Sequence, residues 1–473
     1  MNSFFKAFSK TATGSIITML LSSILIKLIA IISGPQGIGI FSLLRDFSKM
    51  LVLLFSISSN IAIVQGLSNN SVENKLCYIN NAIKIVIINT IVMVVLYICL
   101  ITIIKKYLFT TILEINIITL LIILISAIFG SINVIYNSIL NANRKLGQMA
   151  LSQIFSAFIG SLCSLPILYF FPTNYMYASI LVIINFSWFL INFYFIKKNN
   201  IKVEWYSSLF KPLQKENINH FIGFSMGSLI TGIAGIITIL YLRFFIEKNL
   251  GLTQLGIFDA AWTLGTIYIV FLLSSFGTYV LPKLSAIKDT NERDNFFNHV
   301  ILMTMSLFLP ILITMITFKN QFIYIFYSEK FYTSGDLLNI LLMGDFFKVF
   351  SWILGMLFLA YNRMFAFVVL SLFWDISFLI LIYFNLLEYS LIGIGYAYVI
   401  TQVIYLFLIL IVAHKYFVLK LNIKSILMLL ISLILIFIVF YFNKNSINFL
   451  VYFFSMIICL IILFYNIRKE KIK

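Results

Sequence analysis

Apolar residues fill this chain in long blocks separated by short polar stretches. Blocks of spanning length fall at 11–33, 38–66, 79–104, 113–140, 147–170, 175–196, 219–246, 252–281, 298–318, 337–360, 364–386, 391–413, 424–441 and 447–467. A helix of about 20 apolar residues crosses a hydrocarbon core of roughly 30 Å, so the pattern predicts fourteen transmembrane helices. A transmembrane barrel would show short segments of alternating polarity instead. The first block follows the lysines of "MNSFFKAFSK", continues past residue 30 and ends in "SGPQG" without a small-x-small cleavage site, which predicts a retained helix and not a signal peptide.

Composition agrees. Of 473 residues, 62% are hydrophobic and 10% charged, and the mean hydropathy of +1.06 excludes a soluble core. The expected class is an all-α polytopic membrane protein. Cys77, Cys99, Cys163 and Cys459 lie far apart, a spacing that suggests packing residues and neither a disulfide framework nor a zinc site.

The net charge of +17 gains meaning from its placement. Lys and Arg concentrate in the alternate connections "NANRK", "KKNNIKVEWYSSLFKPLQKEN" and "KLSAIKDTNERD" and in the final "IRKEKIK". That is the asymmetry of cytoplasmic loops. It puts both termini in the cytoplasm and implies anionic headgroups of membrane phospholipids, not nucleic acid, as the basic surface's partner.

The chain also repeats itself. "GSIIT" from Gly14 recurs as "GSLIT" from Gly227, "IGIF" from Ile38 as "LGIF" from Leu255, Asn143-Arg144 as Asn362-Arg363 and Leu151-Ser152 as Leu370-Ser371, in the same order at nearly constant offset. Six helices per copy is an even number, so both copies enter the membrane in the same orientation. The expected organisation is a six-helix lobe over 1–196, a cytoplasmic linker over 197–217, a second six-helix lobe over 218–413, and two further helices with a basic tail over 414–473.

Charges inside the blocks carry the functional signal. "IGIFSLLRDFSKMLVLLF", residues 38–55, holds Arg45, Asp46 and Lys49 within five positions. At a helix centre each such charge costs about 2.5–3.5 kcal/mol on insertion scales, against about 0.3–0.6 kcal/mol returned by a Leu or Ile. They are expected to face water, each other or a ligand. Arg45 and Lys49 share one helix face, and Asp46 reaches Lys49 one turn on, which leaves Arg45 without an obvious local partner. Lys27, Arg45 and Asp259 are all expected roughly 10 Å inside the outer ends of their helices.

Lys27 fits outward snorkelling and ligand contact equally. Arg243, four residues before Glu247, reads as an interfacial residue. Asp345 with Lys348 reads as a supporting ion pair, as does Asp46. Asp259 and Asp375, carboxylates inside spans, are candidates for coupling to a proton or sodium gradient, with Asp259 equally able to neutralise a cation. Gly223, Gly227, Gly232 and Gly235 form a small-residue face suited to close helix packing or to bending. The sequence holds no Walker A motif, and His220, His299 and His414 fall at expected helix ends instead of in a cluster. A transporter without cofactor, metal or catalytic residues is therefore expected.

With "SGPQGIGIFSLLRDF" and "IAIVQGLSN" in view, the chain resembles the Wzx-type polysaccharide-transport flippases of the multidrug, oligosaccharidyl-lipid and polysaccharide exporter superfamily. The similarity is clearest over 11–70 and extends through the repeat to about 413. Fourteen helices look more like the lipid II flippases of that superfamily than its twelve-helix members.

The resemblance implies translocation of an undecaprenyl-pyrophosphate-linked oligosaccharide to the outer leaflet of a bacterial cytoplasmic (inner) membrane, for O-antigen, lipopolysaccharide or capsule biosynthesis. It also implies a polysaccharide polymerase and chain-length machinery as partners, and a cationic cavity that Lys27, Arg45 and Lys49 match in kind. Helix 252–281 departs from that pattern with acidic Asp259. The alternatives are an ion-coupled multidrug exporter of the related toxic-compound extrusion family, against which Arg45 and Lys49 speak, and a membrane polysaccharide polymerase or ligase, which would carry a long outward loop.

Overall fold

The computed structural model describes residues 2–68, 75–109, 112, 115–171, 173–201, 203, 215–443 and 448–471. Among these the chain is helical without strands, in the order α1 (Asn2–Ile32), α2 (Gly34–Ser56), α3 (Asn60–Ser68), α4 (Lys75–Leu108), α5 (Ile117–Ala142), α6 (Leu146–Phe170), α7 (Thr173–Lys198), α8 (Lys215–Ala286), α9 (Thr290–Thr317), α10 (Lys319–Phe326), α11 (Ser334–Ala360), α12 (Met364–Phe417), α13 (Ile423–Phe442) and α14 (Phe449–Lys471). Most of the expected linker lies outside the described residues.

Local chemistry sets several boundaries. Gly34, with φ +62, and Pro35 in the first turn of α2 make a sharp start, since proline needs no N–H partner there. Asn116 caps α5, accepting from the Thr119 N–H at 2.9 Å, and Asn422 caps α13 through the Ser425 N–H at 2.8 Å. The long α8 is interrupted at Gly251 (φ 85) and α12 at Ser390 (φ 58), at the gaps between apolar blocks.

One expected helix is broken instead. The block 38–66 divides into α2 and α3, bent by 43°, with Ile57 and Ser58 at φ 51 and 49. Carbonyls released by a break inside a membrane need donors, and α4 supplies them. The Asn89 amide donates to the Leu54 and Phe55 carbonyls at 2.8 and 2.9 Å, and the Thr90 hydroxyl to Phe55 at 3.3 Å. Between Gly39 and Gly66 the block holds no Gly or Pro, so nothing in the run marks the break.

Among the described residues ten helices are long and apolar enough to cross a membrane, or eleven if the bent α2–α3 pair is one span. The expected fourteen exceeds this measure where 221–269 runs through the Gly251 break and where 17–32 and 449–461 are shorter apolar helices. Outward residues of α4, among them Ile91, Val95 and Ile98, are exposed, as a lipid-facing surface requires.

The chain packs as two compact units, Ser9–Gly256 and Ile257–Lys473, the latter joined by Met1–Phe8. Residues 218–256, the opening of the expected second lobe, pack with the first unit. In that unit α5 packs against α2, α3, α4, α6 and α7. Ala62, Ile63, Tyr78, Ile83, Ile135, Ile139 and Phe195 form an apolar core, beside a ladder of buried amides. The Asn133 amide donates to the Asn185 carbonyl at 2.9 Å, the Asn192 amide to Asn133 Oδ1 at 3.1 Å and the Asn185 amide to Ser126 Oγ at 2.8 Å.

Also in the first unit, α2 and the stretch after Gly251 approach backbone to backbone. A Cβ on Gly39 would lie 2.6 Å from the Leu252 carbonyl oxygen, and one on Gly256 would overlap that of Pro35. Gly39 and Gly256 are the glycines of "IGIF" and "LGIF", and Pro35 and Leu252 differ by the same offset. The repeated positions therefore meet each other reciprocally. Of the α8 glycine face, Gly232 abuts Leu53, whereas Gly223 and Gly235 have nothing within 4 Å; close packing does not account for those two.

In the second unit α9 packs against α11, α13 and α14, and α11 against α12. Its polar anchor lies at the start of α9. Arg293 bonds Asp294 at 2.7 Å and the Phe417 carbonyl at 2.6 Å, and the Asn298 amide donates to the Lys420 carbonyl at 2.8 Å.

Candidate functional site

A cavity of about 890 Å³ lies within the first unit, walled by α1, α2, α3, α5, α6, α7 and Ile236 of α8. Arg45 and Lys49 line it from α2, and no lining residue among those described is acidic. The remaining polar lining is neutral, drawn from Ser, Asn, Gln and Trp side chains.

The cations are held from behind by Asp46. Its Oδ1 accepts from Lys49 Nζ at 3.0 Å and Arg45 Nε at 3.4 Å, and its Oδ2 from Arg243 Nε at 2.9 Å. Arg243 also donates to Ser42 Oγ at 2.7 Å. Arg45 lies 5.8 Å from the Phe41 ring centroid. Helical spacing explains the division: Ser42 and Asp46 are one turn apart on the face toward α8, and Arg45 and Lys49 one turn apart on the neighbouring face.

Arg243 does not snorkel at an interface, contrary to the reading of its sequence neighbourhood. It is 1% exposed, and a charge so placed is tolerated only with a bonded counter-charge. Arg45 likewise has in Asp46 the local partner that spacing did not suggest. Among these four groups three are cationic and one is anionic. With the Lys49 side chain 61% exposed into the cavity, the arrangement can receive an anion with several oxygens through charge-assisted bonds.

The other expected site residues are placed elsewhere. Lys27 is half-buried on α1 and is not among the cavity-lining residues. Asp259 and Asp375 are buried in the second unit. Asp345 accepts from the Tyr268 hydroxyl at 2.8 Å and the Tyr398 hydroxyl at 2.7 Å. Lys348 stands 5.9 Å from the Tyr398 ring centroid. Two phenols hold this carboxylate by direct hydrogen bonds, without adding a second charge to bury, and the Lys348 charge acts on it through space.

Two features escaped sequence reasoning. Arg243 is separated from Asp46 by 197 positions, so no local spacing could pair them. The neutral wall was marked by Asn137 and Asn141, one turn apart on the same face of α5.

Fold and site together define a polytopic helical membrane protein with an anion-ready cavity inside one helical unit. The chain belongs to the polysaccharide biosynthesis protein family, whose sequence profile matches residues 34–336. It is 21% identical over 225 residues to a Shigella flexneri protein named "Putative O-antigen transporter", covering 47% of this chain and 52% of that one. It is 23% identical over 229 residues to the lipid III flippase of Escherichia coli (strain K12), covering 48% and 52%. The chain thus spans about half the length of the curated relatives it matches.

Among solved structures, the lipid II flippase MurJ in an inward closed conformation superposes with a TM-score of 0.71 at 19% identity, over 99% of this chain and 100% of that one. An inward-facing multidrug resistance MATE family transporter of the MOP superfamily superposes with a TM-score of 0.70 at 14% identity, over 85% and 94%. The fold is therefore shared with these two proteins.

Proposed function

We propose that this protein is a flippase that moves an undecaprenyl-pyrophosphate-linked oligosaccharide from the cytoplasmic to the outer leaflet of a bacterial inner membrane, for surface polysaccharide assembly. The observation that carries the reading is the cavity. Its charged lining among the described residues is Arg45 and Lys49, and Asp46, the carboxylate bonded to both, also accepts from Arg243. Arg45 offers a guanidinium fork matched to phosphate oxygens, and Lys49 adds charge one turn away. The family supports the polysaccharide setting, and two relatives carry the names of a transporter and a flippase. A multidrug exporter shares the fold, but two cations and no carboxylate in the described lining disfavour an organic cation as cargo.

Deletion of the gene, followed by analysis of surface polymer and lipid-linked precursors, tests the reading. A flippase predicts loss of surface polymer with an intact lipid-linked repeat accumulating on the inner leaflet. In complementation, Arg45→Ala should reach wild-type levels in the membrane and fail to restore polymer, while Arg45→Lys restores part of it. Normal surface polymer after deletion, or accumulation of an incomplete repeat, overturns the assignment.

A further inference from the structure

Cations on α2 account for an anion in the cavity, yet much of the lining is neutral. α5, α6 and α7 contribute Asn137, Ser138, Asn141, Gln153, Asn185 and Trp188, where membrane helices ordinarily present aliphatic side chains. Two of these are fixed by neighbours outside the cavity lining. The Asn185 amide donates to Ser126 Oγ at 2.8 Å and the Trp188 indole N–H to Ser152 Oγ at 3.2 Å, so Trp188 lines the cavity with its donor already engaged.

Asn137 is different. Its Nδ2 donates to the Asn133 carbonyl at 2.9 Å, which fixes the amide's orientation because that carbonyl can only accept. Its Oδ1 is then left buried with no hydrogen-bond partner, an unfavourable state in a membrane interior. Among the described residues that line the cavity, Asn137 carries such an atom and no other does.

Register places this acceptor relative to the cations. Ser48 Oγ and Ser126 Oγ are 3.4 Å apart, 78 positions separated in sequence, and Gly130 abuts Val52 at the same offset, so α2 and α5 run side by side in parallel. Asn137 then lies ten residues beyond the level of Lys49 on α5, about 15 Å along the α5 axis. A pyrophosphate at Arg45 and Lys49 and the first sugars attached to it cover that distance. The volume of about 890 Å³ is at the upper end of ligand sites, which run to about 1,000 Å³.

We infer that the wall formed by α5, α6 and α7 is a saccharide subsite for uncharged sugars bearing hydroxyl or acetamido donors, with Asn137 Oδ1, buried and unpaired in this structure, turning to the lumen to accept from one of them and Gln153 and Asn141 on the same lining. The inference rests on the flippase reading and adds to it where the sugar is recognised and of what class it is. An acidic sugar would be drawn to the cations of α2, while amides, which both donate and accept, suit neutral hydroxyls.

The test uses the purified full-length chain and two probes, undecaprenyl pyrophosphate and the same lipid bearing a neutral oligosaccharide of hexose and N-acetylhexosamine. The wild type should bind the glycosylated probe more tightly. Asn137→Leu and Gln153→Leu should each reduce that preference about three- to tenfold, the loss of one hydrogen bond, with bare-lipid affinity unchanged. Arg45→Ala should weaken both probes. Asn137→Leu retains volume and removes an unpaired acceptor, so its thermal midpoint should equal or exceed that of the wild type. Equal binding of both probes by the wild type overturns the subsite and leaves the flippase reading standing, as does parallel loss of both probes in the two Leu variants. Binding of neither probe removes the flippase reading and the subsite with it.

Discussion

Asp46 is shared by three cations that do different work. Lys49 and Arg45 line the cavity, whereas Arg243 ties α8 to α2 from a site that is 1% exposed. Removing one partner of a buried pair costs about 3–5 kcal/mol, because the other charge is left unpaired. Asp46→Ala should therefore lower the thermal midpoint of the purified protein sharply, while Lys49→Ala, at a solvated position, should change stability by about 0–1 kcal/mol. Asp46→Leu with Arg243→Met should recover much of the loss, since neither charge then remains. Equal midpoints for Asp46→Ala and Lys49→Ala would show that Asp46 is not the anchor. At this scale Arg45, Asp46 and Lys49 were legible because charge inside an apolar run is costly wherever it falls. Arg243 was not legible for what it does: its partner is remote in sequence, and Glu247 one turn away offered a local explanation of its charge.

Helices were legible as apolar blocks, and the breaks at Gly251 and Ser390 fell in the gaps between them. The bend between α2 and α3 was not, because Asn89 and Thr90 of another helix make it possible. Packing between helices divides the glycines in the same way. Gly39 and Gly256 sit where two backbones touch, and a methyl group on Gly256 meets a carbonyl oxygen that no rotamer change can move. Gly256→Ala should destabilise by about 1–3 kcal/mol or more through overpacking. Gly223→Ala, with open space around its Cβ position, should be neutral or gain up to about 1 kcal/mol of helix propensity. Thermal unfolding of the two variants in one detergent compares them directly, and a Gly256→Ala protein as stable as Gly223→Ala would mean that α2 and α8 do not approach at these positions.

For the whole molecule, the membrane class was legible from composition; the sequence repeat assigns 218–256 to the second lobe, and those residues pack within the unit Ser9–Gly256. Orientation rests on charge. α7 ends in Lys197 and Lys198, α8 carries Lys283 in its last turn, and α12 ends in His414 and Lys415; parity along the expected spans puts all three ends on one side. Against them stand Lys105 and Lys106 at the end of α4, on the other side by the same parity. Lys105 has a local use there, donating to the Ile115 carbonyl of the following connection, so it reports on that connection more than on orientation. If the majority decides, as the retention of Lys and Arg in cytoplasmic loops requires, reporters fused near Thr173 or Glu388 should read as outside. Those near Trp205, in the linker beyond the described residues, or near Lys471 should read as inside. Removing Lys105 and Lys106 together should leave that pattern unchanged. A reversed pattern in the unmodified chain would mean that basic charge does not set its orientation, and would turn the cavity's proposed direction of transport around with it.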